Sequence, residues 1–133
     1  MATLRYERRV DAPADVVWNV VHDPASITQW FPGIVWCRVE GTQRTIRTAT
    51  GLEMPEEILE NDSLTRHFAY RITAPMYRFH LGTIDVLALD ETSSTCVYET
   101  TAEPDVLALL IGGGSIGALK EIARLAEARF EAR

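Results

Sequence analysis

Residues 3–10, TLRYERRV, alternate apolar and polar positions so that Leu4, Tyr6 and Val10 share one face, the period-two signature of a half-buried strand. The period then lengthens. PADVVWNVVHD places Val17, Trp18 and Val21 on one side of a helix, with Asp11 as its cap and Pro13 supplying the φ of a first turn. DPASITQWF reads as a second, shorter, proline-led helix that stops at Pro32-Gly33. From there to about residue 102 strand-like stretches return, punctuated by turn chemistry. IVWCRVEG and QRTIRTAT part at Gly41, LEMPEEILEND and LTRHFAYRITA at Asn61-Asp62-Ser63, and YRFHLGTIDVLALD and STCVYETTAEP around Asp90-Glu91-Thr92. Pro104 closes the last strand and opens the longest helical segment. There Val106, Leu109, Gly112, Ile116, Leu119, Ala123, Ala126 and Phe130 recur every three or four residues as the expected buried stripe. The predicted order is one strand, two short helices, six strands and one long helix, in a single domain over 1–133.

Inside that last helix, LLIGGGSIGALK spells G-x-G-x-x-G at Gly112, Gly114 and Gly117. A dinucleotide fingerprint needs a strand before it, and after it a helix and a second strand with an acidic residue about 20 positions on. Here the preceding PDVLALLI is helical in pattern and only residues 118–133 follow, so the context excludes a nucleotide site. These three glycines, leaving Gly113 aside, cost about 3 kcal/mol relative to alanine in a helix interior. That cost predicts a kink, a close backbone approach, or space kept for another group. Gly112, on the apolar stripe, is the residue expected to leave room for a ligand.

Composition narrows the function classes. The chain has 13 Lys plus Arg against 19 Asp plus Glu, a net charge of −6, which argues against a phosphate-backbone partner and disfavours anionic membranes. No uninterrupted apolar run approaches the roughly 18–20 residues of a membrane span, and the charged start MATLRYERRV is unlike a signal peptide, so a cytoplasmic location is expected. Cys37 and Cys96 read as two reduced, packed thiols, with a single disulfide as the alternative. Neither they nor the scattered His22, His67 and His80 have metal-ligand spacing, so no metal or other cofactor is expected.

The stretches VDAPADVVWNVVHDPASITQWFPGI, EEILENDSLTRHFAYRIT and HLGTIDVLALDETSSTCVYETTAEP resemble the START/birch-pollen-allergen superfamily, also called SRPBCC. Within it the chain looks most like bacterial proteins of the polyketide cyclase/dehydrase-like and lipid-transport-like kind. The resemblance implies an α+β helix-grip fold, in which a curved antiparallel sheet of about seven strands surrounds a long C-terminal helix, with two short helices after the first strand. It also implies a hydrophobic cavity between sheet and helix.

Strand alternation combined with the resemblance nominates the cavity wall: Glu57 and Leu59 on one strand, Tyr70 and Ile72 on the next, His80 and Gly82 on a third, and Tyr98 on the last. Trp30 sits where the resemblance implies closure of one end, and Trp36 is a candidate for the wall, each with a core position as its rival. The loops Thr50-Gly51-Leu52 and Ala74-Pro75-Met76 match the entrance, and Gly112 and Ile116 would face the ligand from the helix. A register slip of one residue would turn Glu56 inward in place of Glu57. Convergence of Glu57, His80 and Tyr98 would form a proton-transfer set for cyclisation or dehydration. Related aromatase/cyclases place an arginine on the strand of Glu57; here Glu57 or Ile58 stands there, and neither supplies the charge.

The expected function is binding of a hydrophobic small molecule, whether lipid, polyketide or aromatic metabolite. The alternatives are a polyketide cyclase/dehydratase and a protein-interaction or regulatory module, including a homodimer. An exposed apolar patch at 107–111 would favour the last.

Overall fold

The computed structural model describes residues 1–133. Strand β1 (Ala2–Val10) leads into helix α1 (Ala14–Val21), then a 3-10 turn (Pro24–Ser26) that continues as α2 (Ile27–Trp30). Six strands follow: β2 (Ile34–Glu40), β3 (Gln43–Thr48), β4 (Glu53–Asp62), β5 (His67–Ile72), β6 (Phe79–Ala88) and β7 (Ser94–Glu103). Helix α3 (Asp105–Glu131) ends the chain. The strands form one antiparallel sheet ordered β1-β7-β6-β5-β4-β3-β2, with β1 beside β7 and Tyr6 opposite Tyr98. This is the helix-grip arrangement. From β2 to β7 consecutive strands pair as hairpins because each link is short, and α3 lies across β1 and β7 with α1 and α2 packed against it.

Alternation on β5, β6 and β7 turns Phe68 and Tyr70, Ile84 and Val86, and Cys96 and Tyr98 into the core, where they meet Val17, Trp18 and Val21 of α1. The Trp18 indole N–H donates to Ser63 Oγ at 3.0 Å, which satisfies its one polar atom. Two local expectations shift. Pro13, at φ −59°, occupies the cap position of α1 itself, and Asp11 does not cap it; the Asp11 backbone N–H instead donates to Glu127 Oε2 of α3 at 2.9 Å. The β4–β5 turn falls at 63–66, later than Asn61-Asp62-Ser63, because the Asp62 carboxylate accepts from the Leu64 N–H and the Thr65 hydroxyl, both at 2.9 Å.

Helix α3 departs most from its predicted stripe. Gly112, Leu119, Ala123 and Ala126 are buried as expected, together with Ala108, Ser115, Ala118 and Ile122, while Val106, Leu109 and Ile116 are 65%, 61% and 55% exposed. Small residues are needed on this side because Leu4 of β1 and Phe31 and Pro32 after α2 crowd the helix backbone. A Cβ on Gly112 would run into the Leu4 side chain of β1, one on Gly114 would lie 2.8 Å from the Phe31 ring, and one on Gly117 would lie 3.1 Å from Pro32. Close backbone approach explains the glycines, and Gly112 makes room for Leu4 where space for a ligand was expected. The helix is continuous through all three. It also carries an 18-residue window of mean hydropathy 1.6, so by length and composition α3 could cross a bilayer, even though its apolar residues are interrupted. In the fold it packs on the sheet, with 39% of that window buried.

At Gly113, alone in this cluster, an added Cβ would meet nothing within 4 Å. Gly113→Ala should therefore raise stability by about 1 kcal/mol through helix propensity. Gly112→Ala should lower it, since overpacking of roughly 1–3 kcal/mol outweighs the same propensity gain. Urea unfolding of the two variants checks the opposite signs.

Candidate functional site

A cavity of about 350 Å³ opens between β2–β5, the end of α2 and the N-terminal half of α3. Ile34, Ile46, Met54 and Ile72 form its sheet wall, one inward position from each of four strands. Ile27 and Phe31 close it from the α2 side, and Leu110, Ile111 and Gly114 from α3. Thr50 and Leu52, in the exposed β3–β4 link, stand at the mouth together with the 72%-exposed Leu110. Its buried polar lining is Glu56, Tyr70 and Tyr77.

Register assembles that buried end. Arg44 on β3 pairs across to Glu56 on β4, and Glu56 pairs to Ile72 on β5, so the three residues form one row across the sheet. Arg44 Nε donates to Glu56 Oε1 at 2.7 Å and Arg44 Nη1 donates to the Pro24 carbonyl at 2.9 Å. The guanidinium lies 5.0 Å from the Tyr70 ring centroid and 5.6 Å from that of Phe68, within cation–π range of both. Arg44 and Glu56 are each only 2% exposed. Burial lifts the Glu56 carboxyl above the ordinary carboxylate range, against the opposing pull of Arg44. For Arg44, burial disfavours the charge, but the combined pull of Glu56, Tyr70 and Tyr98 outweighs that cost and the guanidinium stays charged.

Behind this row, the Tyr70 and Tyr98 hydroxyls share a hydrogen bond of 2.6 Å, and burial raises both phenols. Burial, with the Glu56 charge added, pushes Tyr77 up to about 12; its hydroxyl is buried and has no hydrogen-bond partner. His80 accepts the Ile72 backbone N–H on Nδ1 at 2.9 Å, with its ring 5.5 Å from those of Tyr70 and Tyr77. Burial lowers its pKa to about 4, so it is neutral near pH 7 and serves the backbone as an acceptor.

Of the residues nominated from the sequence, Tyr70 and Ile72 line the cavity. Glu57 does not: it faces outward to Arg71 at 3.2 Å and Gln43 at 3.3 Å, since strand alternation puts Met54 and Glu56 on the inner face. Leu59 is 43% exposed, thrown out by the irregularity between Ile58 and Glu60. Trp30 belongs to the core; its indole N–H donates to Ser26 Oγ at 2.9 Å, and the adjacent Phe31 reaches the cavity in its place. Trp36, after a bulge in β2, carries the Arg47 and Arg38 guanidinium groups 4.4 Å and 5.9 Å from its ring centroid and lies outside the lining.

Met76 is 49% exposed and away from the lining; Tyr77, next in the chain, takes the position. Gly82 sits beneath Tyr70, where a Cβ would come 2.6 Å from the ring, so it accommodates a tyrosine and not a ligand. Tyr98, His80, Gly112 and Ile116 also lie outside the lining. The proposed set of Glu57, His80 and Tyr98 does not converge, because Glu57 is on the opposite face of the sheet. Cys37 and Cys96 are unpaired thiols, and burial pushes Cys96 up to about 12.

Sequence reasoning missed Arg44 and Tyr77 and left Glu56 open. A signal for the first existed: in QRTIRTAT, Arg44 shares its face with Ile46, and in LEMPEEIL, Glu56 shares its face with Met54.

The profile of the family described as "Polyketide cyclase / dehydrase and lipid transport" matches residues 1–133. Among curated protein sequences none matches the chain. Several solved structures are similar. The protein XoxI from Bacillus cereus superposes with a TM-score of 0.86 at 22% identity, over 93% of this chain and 94% of that one. The di-domain ARO/CYC BexL from the BE-7585A biosynthetic pathway gives 0.77 at 20% identity, over 96% of this chain and 47% of that one. Norcoclaurine synthase from Thalictrum flavum, in complex with dopamine and hydroxybenzaldehyde, gives 0.75 at 18% identity, over 99% and 88%. At these identities the likeness is one of fold.

Proposed function

The chain belongs to the polyketide cyclase/dehydrase and lipid-transport family, and from that premise we propose that it binds a hydrophobic small molecule in the cavity between the sheet and α3. The observation that carries this reading is the cavity itself. About 350 Å³ walled by Ile34, Ile46, Met54 and Ile72 falls within the size range of small-molecule sites, and its apolar walls favour an apolar guest. Leu52 and Leu110 at the mouth give such a guest an apolar path inward. Leu109 and Leu110 are also the exposed patch that an interaction module would present, but Leu110 is accounted for as part of the cavity rim.

A cyclase or dehydratase reading draws on Glu56, a buried carboxyl with a raised pKa in the cavity wall. Arg44 supplies a positive charge on β3 that the aligned strand lacks. That charge is neutralised by Glu56 at 2.7 Å and is not part of the lining, so it is poorly placed to polarise a carbonyl. Binding is therefore the reading adopted.

Native mass spectrometry of freshly purified protein should show an added small-molecule mass. Ile72→Trp, which fills the cavity from the β5 wall, should abolish that mass while the far-UV circular dichroism stays native. Retention of the same adduct by Ile72→Trp would place the ligand elsewhere.

A further inference from the structure

Resting on the reading of the cavity as a binding site, we propose that its buried end recognises a neutral hydroxyl group. The ligand class is then an uncharged apolar or aromatic molecule bearing a phenol, enol or alcohol, and not a carboxylic acid. Three polar side chains line the cavity at its buried end, and their hydrogen bonds are unequally used. The Tyr70 hydroxyl is taken by Tyr98 at 2.6 Å. Glu56 receives one hydrogen bond, from Arg44 Nε to Oε1, and Oε2 receives none. The Tyr77 hydroxyl is buried without a partner, although the residue is only 8% exposed. Glu56 and Tyr77 both line this one cavity.

An unfilled acceptor and an unfilled hydroxyl on one apolar cavity match a group that donates once and accepts once. A ligand hydroxyl donates to Glu56 Oε2 and accepts from the Tyr77 O–H. Other head groups fit worse. A ketone accepts from Tyr77 but sets its oxygen against the Glu56 carboxylate. A carboxylate adds a second negative charge where the one nearby cation, Arg44, is already paired. An ammonium beside the neutral Arg44–Glu56 pair leaves a net positive charge in an apolar interior. Among these head groups, the hydroxyl alone satisfies both without adding charge.

The test uses three bicyclic probes of similar size, naphthalene, 2-naphthol and 2-naphthoate, titrated by calorimetry at pH 7.5 against the full chain and against Tyr77→Phe. The parent protein should bind 2-naphthol on the order of tenfold more tightly than naphthalene, and 2-naphthoate no more tightly than naphthalene. Tyr77→Phe keeps the ring and removes the donor. It should erase the preference for 2-naphthol, read as the ratio of 2-naphthol to naphthalene affinity. Retained binding of naphthalene reports that the cavity remains folded. Equal affinity of the parent protein for naphthalene and 2-naphthol, tightest binding of 2-naphthoate, or a preference that survives in Tyr77→Phe would each overturn the hydroxyl assignment while leaving the cavity a binding site. Failure of all three probes to bind the parent protein would overturn the binding reading and the assignment together.

Discussion

Replacing Arg44 with methionine should cost about 3–5 kcal/mol of folding stability, because it strands the Glu56 carboxylate in the interior without its partner. The two side chains are 1% and 3% exposed, so water cannot take over the lost contact. The Pro24 carbonyl also loses its donor. Against a total stability of roughly 5–15 kcal/mol for a domain, this is a large share. The double variant Arg44→Met with Glu56→Leu should recover most or all of the loss, since apolar residues of similar volume avoid both desolvation penalties. The single variant should also regain stability on acidification. The Glu56 folded-state pKa already lies above its ordinary value through burial, and loss of Arg44 removes the opposing pull. As pH falls toward that raised pKa, the folded state takes up a proton and the buried charge disappears. Urea unfolding of the parent, single and double variants at neutral and mildly acid pH measures all three effects. A loss below 1 kcal/mol in the single variant would mean that the pair is solvated and not a closed buried bridge.

Acidification should also weaken the protein through His80, by about 2 kcal/mol between pH 7 and 4.5. Its pKa falls from an ordinary 6.5 to about 4 on folding, because burial disfavours the imidazolium. With the folded pKa below the unfolded one, the unfolded chain takes up the proton first. The stability contribution is therefore complete above about pH 6.5 and is lost as pH falls toward 4. Protonation also disables Nδ1 as the acceptor for the Ile72 N–H. In His80→Asn the side-chain oxygen can accept that N–H without titrating. The difference in unfolding free energy between pH 7 and 4.5 should be smaller in the variant by that amount. Glu56 titrates in the opposite sense in both proteins and cancels in the comparison. Parallel pH profiles for parent and variant would remove His80 from the account.

Both effects arise from residues whose chemical type is visible in the sequence and whose surroundings are not. The alternation HLGTIDV places His80 on an inward face, and it is buried there at 4% exposure. Its neutrality depends on Tyr70, Tyr77 and the Ile72 N–H, which come from β5 and the following loop. Arg44 and Glu56 each lie on a readable apolar face, next to Ile46 and Met54. That they oppose one another is a property of the β3–β4 register, and register changes face with every single-residue step. The choice between Glu56 and Glu57 is therefore open in one dimension and closed by pairing with β5, where Glu56 stands opposite Ile72. Irregularities at Ile34/Trp36 and Ile58/Glu60 have the same consequence for Trp36 and Leu59.

Helix α3 shows the complementary case. Its existence and length follow from a three-to-four-residue period after Pro104, and its glycines point to close approach as one of their explanations. From Leu119 to Ala126 the inward stripe is the predicted one, but in the N-terminal half it differs, because periodicity assigns the large apolar residues Val106, Leu109 and Ile116 to the buried face. Leu4, Phe31 and Pro32, all distant in sequence, take the space above the glycines, so Ala108, Gly112 and Ser115 face inward and Leu109 and Ile116 do not. By itself, the sequence determined the order of elements, the family resemblance, the absence of nucleotide-binding context and much of each strand's inner face. These follow from local periodicity, turn chemistry and chain order. The tertiary structure decided the cavity's outline, the Arg44–Glu56 row and the unpartnered Tyr77 hydroxyl, because each is a relation between side chains that meet only when separate strands and a helix pack in one register.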